Sequence, residues 1–268
     1  MSIVASGASG NLPRVVSASL LWTGGCLEAE YQGQKVHGHF GIYLIKGSEK
    51  TLLIDTGLPL HWPKLEKDVE RFLDGRPLDY VFATHCELPH AGLISQWLRK
   101  YPGCVALGDM GDYRLYYPHL IDRMRTVGVG DSVDLGDRQI MFIPAIWRDL
   151  RNTLWAYETT DRIMFVSDAF AFLHYHKAGE CDRMTSEQAP PDVNMIQFFN
   201  ERALYWTNFS DPRTSFDEIE QLMMLLRPRM IAPAHGGITD LPEEMLPLFK
   251  RGMIMGKMAD GKNMGPFA

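Results

Sequence analysis

Apolar positions in the first half of the chain fall into short runs separated by turns. Residues 40–45 and 51–54 are two such runs on either side of the polar pentapeptide KGSEK, which predicts a β-hairpin. Residues 65–73 place apolar side chains at helical spacing, and residues 80–83 read as a short buried strand. Residues 90–100 predict a helix with Leu93, Ile94, Trp97 and Leu98 on one face. Pro89 suits its first turn, where a missing N–H costs nothing. Further strands are predicted at 104–107, 132–135, 139–143, 153–158, 163–167 and 230–233, and helices at 195–207, 215–226 and 243–250. Strands thus come in two batches, each trailed by helices. That order predicts an α/β protein built as an αββα sandwich, two sheets face to face with helices outside. A single domain over residues 35–254 is expected, behind an N-terminal segment 1–34 and ahead of a polar, Gly-rich flexible tail 255–268. The tail's methionines are candidates for a subunit contact.

Composition narrows the function classes. The 268 residues are 46% hydrophobic and 22% charged, as in an ordinary globular protein. Lys+Arg number 27 against 33 Asp+Glu, with no basic run, which argues against sequence-independent nucleic-acid binding. No stretch approaches the roughly 18 apolar residues of a spanning helix. The N-terminus lacks the basic-then-apolar order of a signal peptide. Cys26, Cys86, Cys104 and Cys181 are few and scattered, so reduced thiols and a cytoplasmic location are expected.

The densest chemistry lies in the segment from Asp79 to Gly92, DYVFATHCELPHAG. A strand ends at Thr84, and the turn after it carries His85, Glu87 and His90. Two imidazoles and a carboxylate within six residues form a metal-ligand nest; the competing reading is a polar loop whose histidines cap the helix. Asp168, in FVSDAF, and His235, in IAPAHGG, each directly follow a strand, and Asp149 lies in a loop between two strands. Loops at one edge of a sandwich are where a rigid scaffold holds ligands in place.

TLLIDTG, THCELPHAG, FIPA, SDAF and PAHG occur in this order, and together they resemble the metallo-β-lactamase superfamily over about residues 35–250. The Glu at the third position of the THCELPH motif and the SDAF sequence resemble its flavodiiron branch. The resemblance implies that His85 and Glu87 bind a first metal, that His90 and His235 bind a second, and that Asp168 bridges them. Asp55 then orients the ligand loops through hydrogen bonds. Two positions depart from the family pattern. Pro89 stands where the family has an aspartate, and Asp149 stands where it has a third histidine. The departures offset each other, since Glu87, Asp149 and Asp168 restore three carboxylates. The first metal would see His85, Glu87, Asp149 and Asp168, and the second His90, His235 and Asp168. Two imidazoles and a carboxylate with open positions is the ligand composition of oxygen-activating non-haem iron. Two Fe ions are therefore expected, ahead of Mn or Zn. The competing reading of Asp149 is a solvated aspartate paired with Arg148 or Arg151.

Other residues draw weaker expectations. His37 and His39 form an HxH on an early strand and read as sheet histidines, with His39 also a candidate to line the substrate pocket. His174 and His176 read as solvated, His61 and His119 as surface, and Cys86 as a small packing residue pointing away from the site. Trp147, Phe170 and Phe172, nearest the ligand loops, are candidates to wall an apolar pocket.

The resemblance orders the functions. First is a non-haem diiron monooxygenase, which uses O₂ to hydroxylate a mostly apolar small molecule. Some metallo-β-lactamase-fold hydroxylases act in secondary-metabolite biosynthesis, and an acid in place of the third histidine resembles that group. Second is an O₂ or NO reductase of the flavodiiron kind without the flavodoxin-like domain, so no bound flavin is expected. Either would draw electrons from an external reductase or ferredoxin, and a homodimer fits the family habit. Third is a metal-dependent hydrolase, which Pro89 disfavours because it cannot help hold a nucleophilic water. A non-enzymatic oxygen sensor or store is the remaining alternative.

Overall fold

A computed structural model describes residues 12–175 and 179–259. The described strands form two sheets. The first runs β1 (Arg14–Ser17), β2 (Leu20–Tyr31), β3 (Gln34–Lys46), β4 (Thr51–Ile54), β5 (Tyr80–Phe82), β6 (Val105–Gly108) and β7 (Met124–Thr126), in that spatial order. It is antiparallel from β1 to β4 and parallel from β4 to β7. The second holds β8 (Ser132–Asp134), β9 (Gln139–Pro144), β10 (Leu154–Glu158), β11 (Ile163–Phe165) and β12 (Met230–Ala232), in the order β12-β11-β10-β9-β8.

Alternation along the strands explains the layering. Leu20, Trp22, Tyr43, Ile45, Leu52 and Ile54 point into the space between the sheets, where they meet Phe82, Phe142 and Phe165. Their neighbours Leu21, Leu44 and Leu53 point the other way, against α1 (Trp62–Leu73) and α3 (Ile94–Lys100). Strand β4 and most of β2 and β3 are buried on both faces, so these stretches read as nearly continuous apolar runs. Helix α1 buries Leu65, Val69 and Leu73, four residues apart on one stripe, and ends at Asp74 in the left-handed conformation. The outer face of the second sheet, with Trp155, Tyr157 and Met164, packs on α5 (Val193–Ala203), α6 (Phe216–Leu226) and α7 (Pro242–Ala259). The result is the αββα sandwich.

Three boundaries differ from the sequence reading. Residues 14–31, placed there in a segment ahead of the domain, pair into the first sheet as β1 and β2. Strand β2 escaped the apolar pattern because Gly24, Gly25 and the polar residues near its end interrupt it. It forms a long ribbon with β3 through a tight turn at Gln32 and Gly33, both at positive φ (51° and 77°). The helix expected at 90–100 begins earlier, as α2 (Leu88–Ala91), and breaks at Gly92–Leu93 before α3. Helix α7 continues to Ala259, into the expected tail, whose residues 260–268 lie outside the described ones. Among the described residues no helix is long and apolar enough to cross a membrane.

Candidate metal centre

The centre is built where strands end. Asp55 follows β4, His85 follows β5, Asp168 follows β11 and His235 follows β12. Asp149 sits in the β9–β10 loop, and His90 in α2, whose first turn contains Pro89. Backbone bonds tie the two sheets together at this edge: Leu154 N donates to Thr84 O (2.9 Å) and Gly41 N to Ala234 O (2.7 Å). The local backbone is strained. Asp55, Ser167 and Phe170 hold φ of 60°, 54° and 56°. Gly236, at φ 115°, leaves no room for a side chain, since a Cβ would lie 2.9 Å from the Phe172 ring.

Three imidazoles are oriented alike. His90 Nδ1 meets Asp55 Oδ2 at 2.8 Å, His235 Nδ1 meets the His39 carbonyl at 2.6 Å, and His85 Nδ1 meets Ser167 Oγ at 3.0 Å. The opposite nitrogens all face the interior carboxylates. His85 Nε2 is 3.2 Å from Asp149 Oδ2 and 4.0 Å from Glu87 Oε2. His90 Nε2 and His235 Nε2 are 3.1 and 3.3 Å from Asp168 Oδ1. Ligand atoms of His85, Glu87, Asp149 and Asp168 lie within 4.8 Å of one another, as do those of His85, His90 and Asp168. His235 joins through Asp168. All six side chains singled out in the sequence thus converge. Asp55 stands one layer back, accepting from Thr84 N and Thr84 Oγ1 (both 2.9 Å) as well as facing His90.

The electrostatics match a gathering of opposed charges. Burial works to raise the Asp168 carboxyl, but the flanking His90 and His235 outweigh it and hold it well below the usual range. Burial likewise works to lower His90, and the carboxylates of Asp55 and Asp168 hold it well above the usual value. Burial pushes Asp149 up, and the facing His85 ring pulls Glu87 down. Asp149 is turned inward with its side chain 6% exposed and its Oδ1 bonded by Thr153 Oγ1 (2.8 Å), which is not a solvated loop aspartate paired with arginine.

The donor set fits metal ions. His85 Nε2, His90 Nε2, Asp149 Oδ2 and Asp168 Oδ1 are buried without a hydrogen-bond partner among the described residues. Four buried polar atoms left unpaired in one place would each cost free energy unless a cation accepts their lone pairs. Three carboxylates and three imidazoles make a hard, oxygen-rich donor set.

A cavity of about 340 Å³ opens on Glu87, Asp168 and His235. Its wall is apolar, with Leu27, Phe40, Leu173, Phe198 and Phe199, and His39 also lines it. Trp147, Phe170 and Phe172 do not. They are buried in the layer under α7, Trp147 against Phe170, and Phe170 and Phe172 against Phe249, on the outer side of the second sheet. Arg202 lies at the cavity, its guanidinium 3.6 Å over the Phe198 ring. Apart from Leu173, the apolar residues that wall the cavity sit on β2, β3 and α5, far in sequence from the ligand motifs, so proximity to those motifs did not reveal them.

Two histidines read as exposed are buried. His61 ends the short turn before α1 and packs over Gly25, where any Cβ would strike its ring. His174 is buried because its backbone pairs with His37 (N–O distances 2.9 and 3.0 Å). His119 is exposed, and His176 lies outside the described residues. Cys86 is half-buried and packs on the outer face of the first sheet. Thr84 and Ser167, whose hydroxyls meet each other (3.0 Å) and flank His85, were not singled out in the sequence. Both sit beside a ligand in its motif, which was the available signal.

The chain is similar to coenzyme F420H₂ oxidase of Methanothermobacter marburgensis, at 27% identity over 248 residues, 86% of this chain and 59% of that protein. It is similar to the anaerobic nitric oxide reductase flavorubredoxin of Klebsiella pneumoniae, at 25% identity over 239 residues, 83% of this chain and 47% of that protein. The chain therefore spans about half to three fifths of the length of these relatives. In fold it matches the rubredoxin oxygen:oxidoreductase of Desulfovibrio gigas, with a TM-score of 0.69 and 18% identity, covering 89% of this chain and 61% of that one. A family model described as ODP family beta lactamase matches residues 39–236, and with the sandwich and its edge cluster in place, the chain belongs to that family.

Proposed function

We propose that His85, Glu87, His90, Asp149, Asp168 and His235 hold two iron ions, and that the chain is an oxidoreductase acting on O₂ or NO at that centre. The observation that carries this reading is the convergence of three oriented Nε2 atoms and three carboxylates, with four of their atoms otherwise unpaired in the interior. The names of the relatives, an oxidase and a nitric oxide reductase, support the reaction class. A pair of ferrous ions held there would supply coordination positions for such a small molecule and pass on to it electrons received from a donor. The protein side of the work falls to its own groups. Asp55, Ser167 and the His39 carbonyl fix the imidazole rings, so that no reorganisation is needed as the ligand set changes charge. Phe40, Phe198 and Phe199 give the open side an apolar wall. Pro89 offers no acid to hold a nucleophilic water, which speaks against hydrolysis. Electrons would come from a separate donor.

A second reading, hydroxylation of a mostly apolar small molecule, is favoured by the cavity. Its volume of about 340 Å³ lies in the range of organic-ligand sites, far beyond what a diatomic gas needs. Arg202 at its lining suits a substrate with an anionic end.

The test is O₂ and NO consumption by iron-reconstituted protein with a chemical reductant. Catalytic loss of either gas, abolished in Asp168→Ala, is the expected result. If gas uptake stays slow until an apolar carboxylic acid is added, hydroxylation is the reaction. Iron-loaded protein that consumes neither gas under any of these conditions would contradict the proposal.

A further inference from the structure

Beside the carboxylate-rich centre lies a second gathering of ligand-type side chains. The β2–β3 pairing sets Cys26 opposite His39, and His37 follows two residues away on the same strand face. The segment after Asp168 returns to this ribbon, brings His174 against His37, and supplies Cys181. Ligand atoms of Cys26, His37 and Cys181 lie within 4.8 Å of one another, and so do those of His39, His174 and Cys181. All five residues are buried.

Spacing and chemistry both suit a metal. Cys26 Sγ is 3.2 Å from His37 Nδ1, close to the roughly 3.4–3.8 Å between ligand atoms of a tetrahedral zinc site. His39 Nε2 lies 2.6 Å from the Cys181 carbonyl and must donate to it. Its buried Nδ1 therefore carries a bare lone pair, with no hydrogen-bond partner among the described residues.

We propose that Cys26, His37 and Cys181 form a second, structural metal site for a borderline-soft divalent ion of the zinc type, with His39 and His174 adjacent to its fourth position. Two thiolates with imidazole is a zinc-type donor set, unlike the oxygen-rich centre. The site ties the ribbon to the segment after Asp168. It also steadies the iron ligand set, because the His39 carbonyl accepts from His235 Nδ1 and Phe172 N donates to His235 O at 3.3 Å.

The test is a Co(II) titration of the metal-free full chain. The proposal expects one equivalent of Co(II) to give a thiolate-to-cobalt absorption band. That band should vanish in Cys26→Ser and in Cys181→Ser and survive in Cys86→Ser and Cys104→Ser. The carboxylate-rich centre contains no sulfur, so its own success or failure in binding metal does not affect this readout. Should the serine variants fail to fold, the wild-type band and one non-iron metal per purified chain carry the test. Absence of the band, its survival in both variants, or a Cys26–Cys181 disulfide found by non-reducing mass analysis would overturn the proposal.

Discussion

Two buried histidine clusters flank strand β3, alike in their three imidazoles and different in the donors that accompany them. The first, around Asp168, has three carboxylates and three imidazoles, and it opens on a cavity through Glu87, whose side chain is 52% exposed. The second, around Cys181, has two thiols and three imidazoles with no carboxylate in the group among the described residues, and it is buried. Hard oxygen donors with an open side suit an ion that changes oxidation state and takes up a ligand. Sulfur donors in a closed site suit an ion that does neither. The His39 carbonyl bonds His235 in the first cluster while its ring stacks on His174 in the second, 4.4 Å between centroids, so one strand positions both. The proposal that each cluster holds its own ion makes donor softness the property that would sort the metals.

The largest effect that would sharpen this contrast is expected from Asp168→Ala. Its carboxylate is within reach of all three imidazoles of the first cluster, directly or through the shared group. The variant should lose essentially all bound iron, by metal analysis, while circular dichroism stays native and any thiolate–cobalt band persists. Loss of that band together with the iron would show the clusters to be one unit. A smaller effect is expected from Asp55→Asn. The amide keeps an oxygen for Thr84 but cannot accept from His90 Nδ1, and asparagine tolerates the φ of 60°. Iron affinity should fall about 10- to 100-fold with every ligand present. Unchanged affinity would remove Asp55 from the account.

The smallest effect concerns the loop that carries Cys181. Glu187 is paired with Arg14 and accepts from Met184 N, and the Arg14 bond, ahead of that backbone bond, holds its pKa down at about 2. A depressed carboxylate stabilises fully above its ordinary pKa of 4.5 and loses that contribution as pH falls toward about 2. The pair is partly exposed, so Glu187→Gln should cost no more than about 1 kcal/mol at neutral pH in urea unfolding. The difference from the native chain should shrink as pH falls from 4.5 towards 2.

The sandwich was legible because strands buried on both faces leave apolar runs, and helices such as α1 leave a clean stripe at Leu65, Val69 and Leu73. The six converging side chains were legible through the ordered motifs that resemble the metallo-β-lactamase superfamily, which lie in the loops after strands and in the short helix that carries His90. What the sequence hid depends on long-range pairing. Strand β2 carries glycines and polar residues, so neither it nor the register that sets Cys26 opposite His39 could be read locally. The burial of His174 rests on a bridge to His37, 137 residues away in the chain. For the same reason the aromatic rings nearest the ligand motifs were assigned to the pocket, whereas the ones that line it, Phe198 and Phe199, arrive on a distant helix.

The most direct test of the central claim is iron stoichiometry after anaerobic reconstitution with Fe(II), read together with Mössbauer spectroscopy. The account predicts close to two irons per chain, in two inequivalent and coupled environments, with one of them lost in Asp149→Ala. A single tightly held zinc at this centre with no iron uptake, or two irons untouched by that substitution, would contradict it.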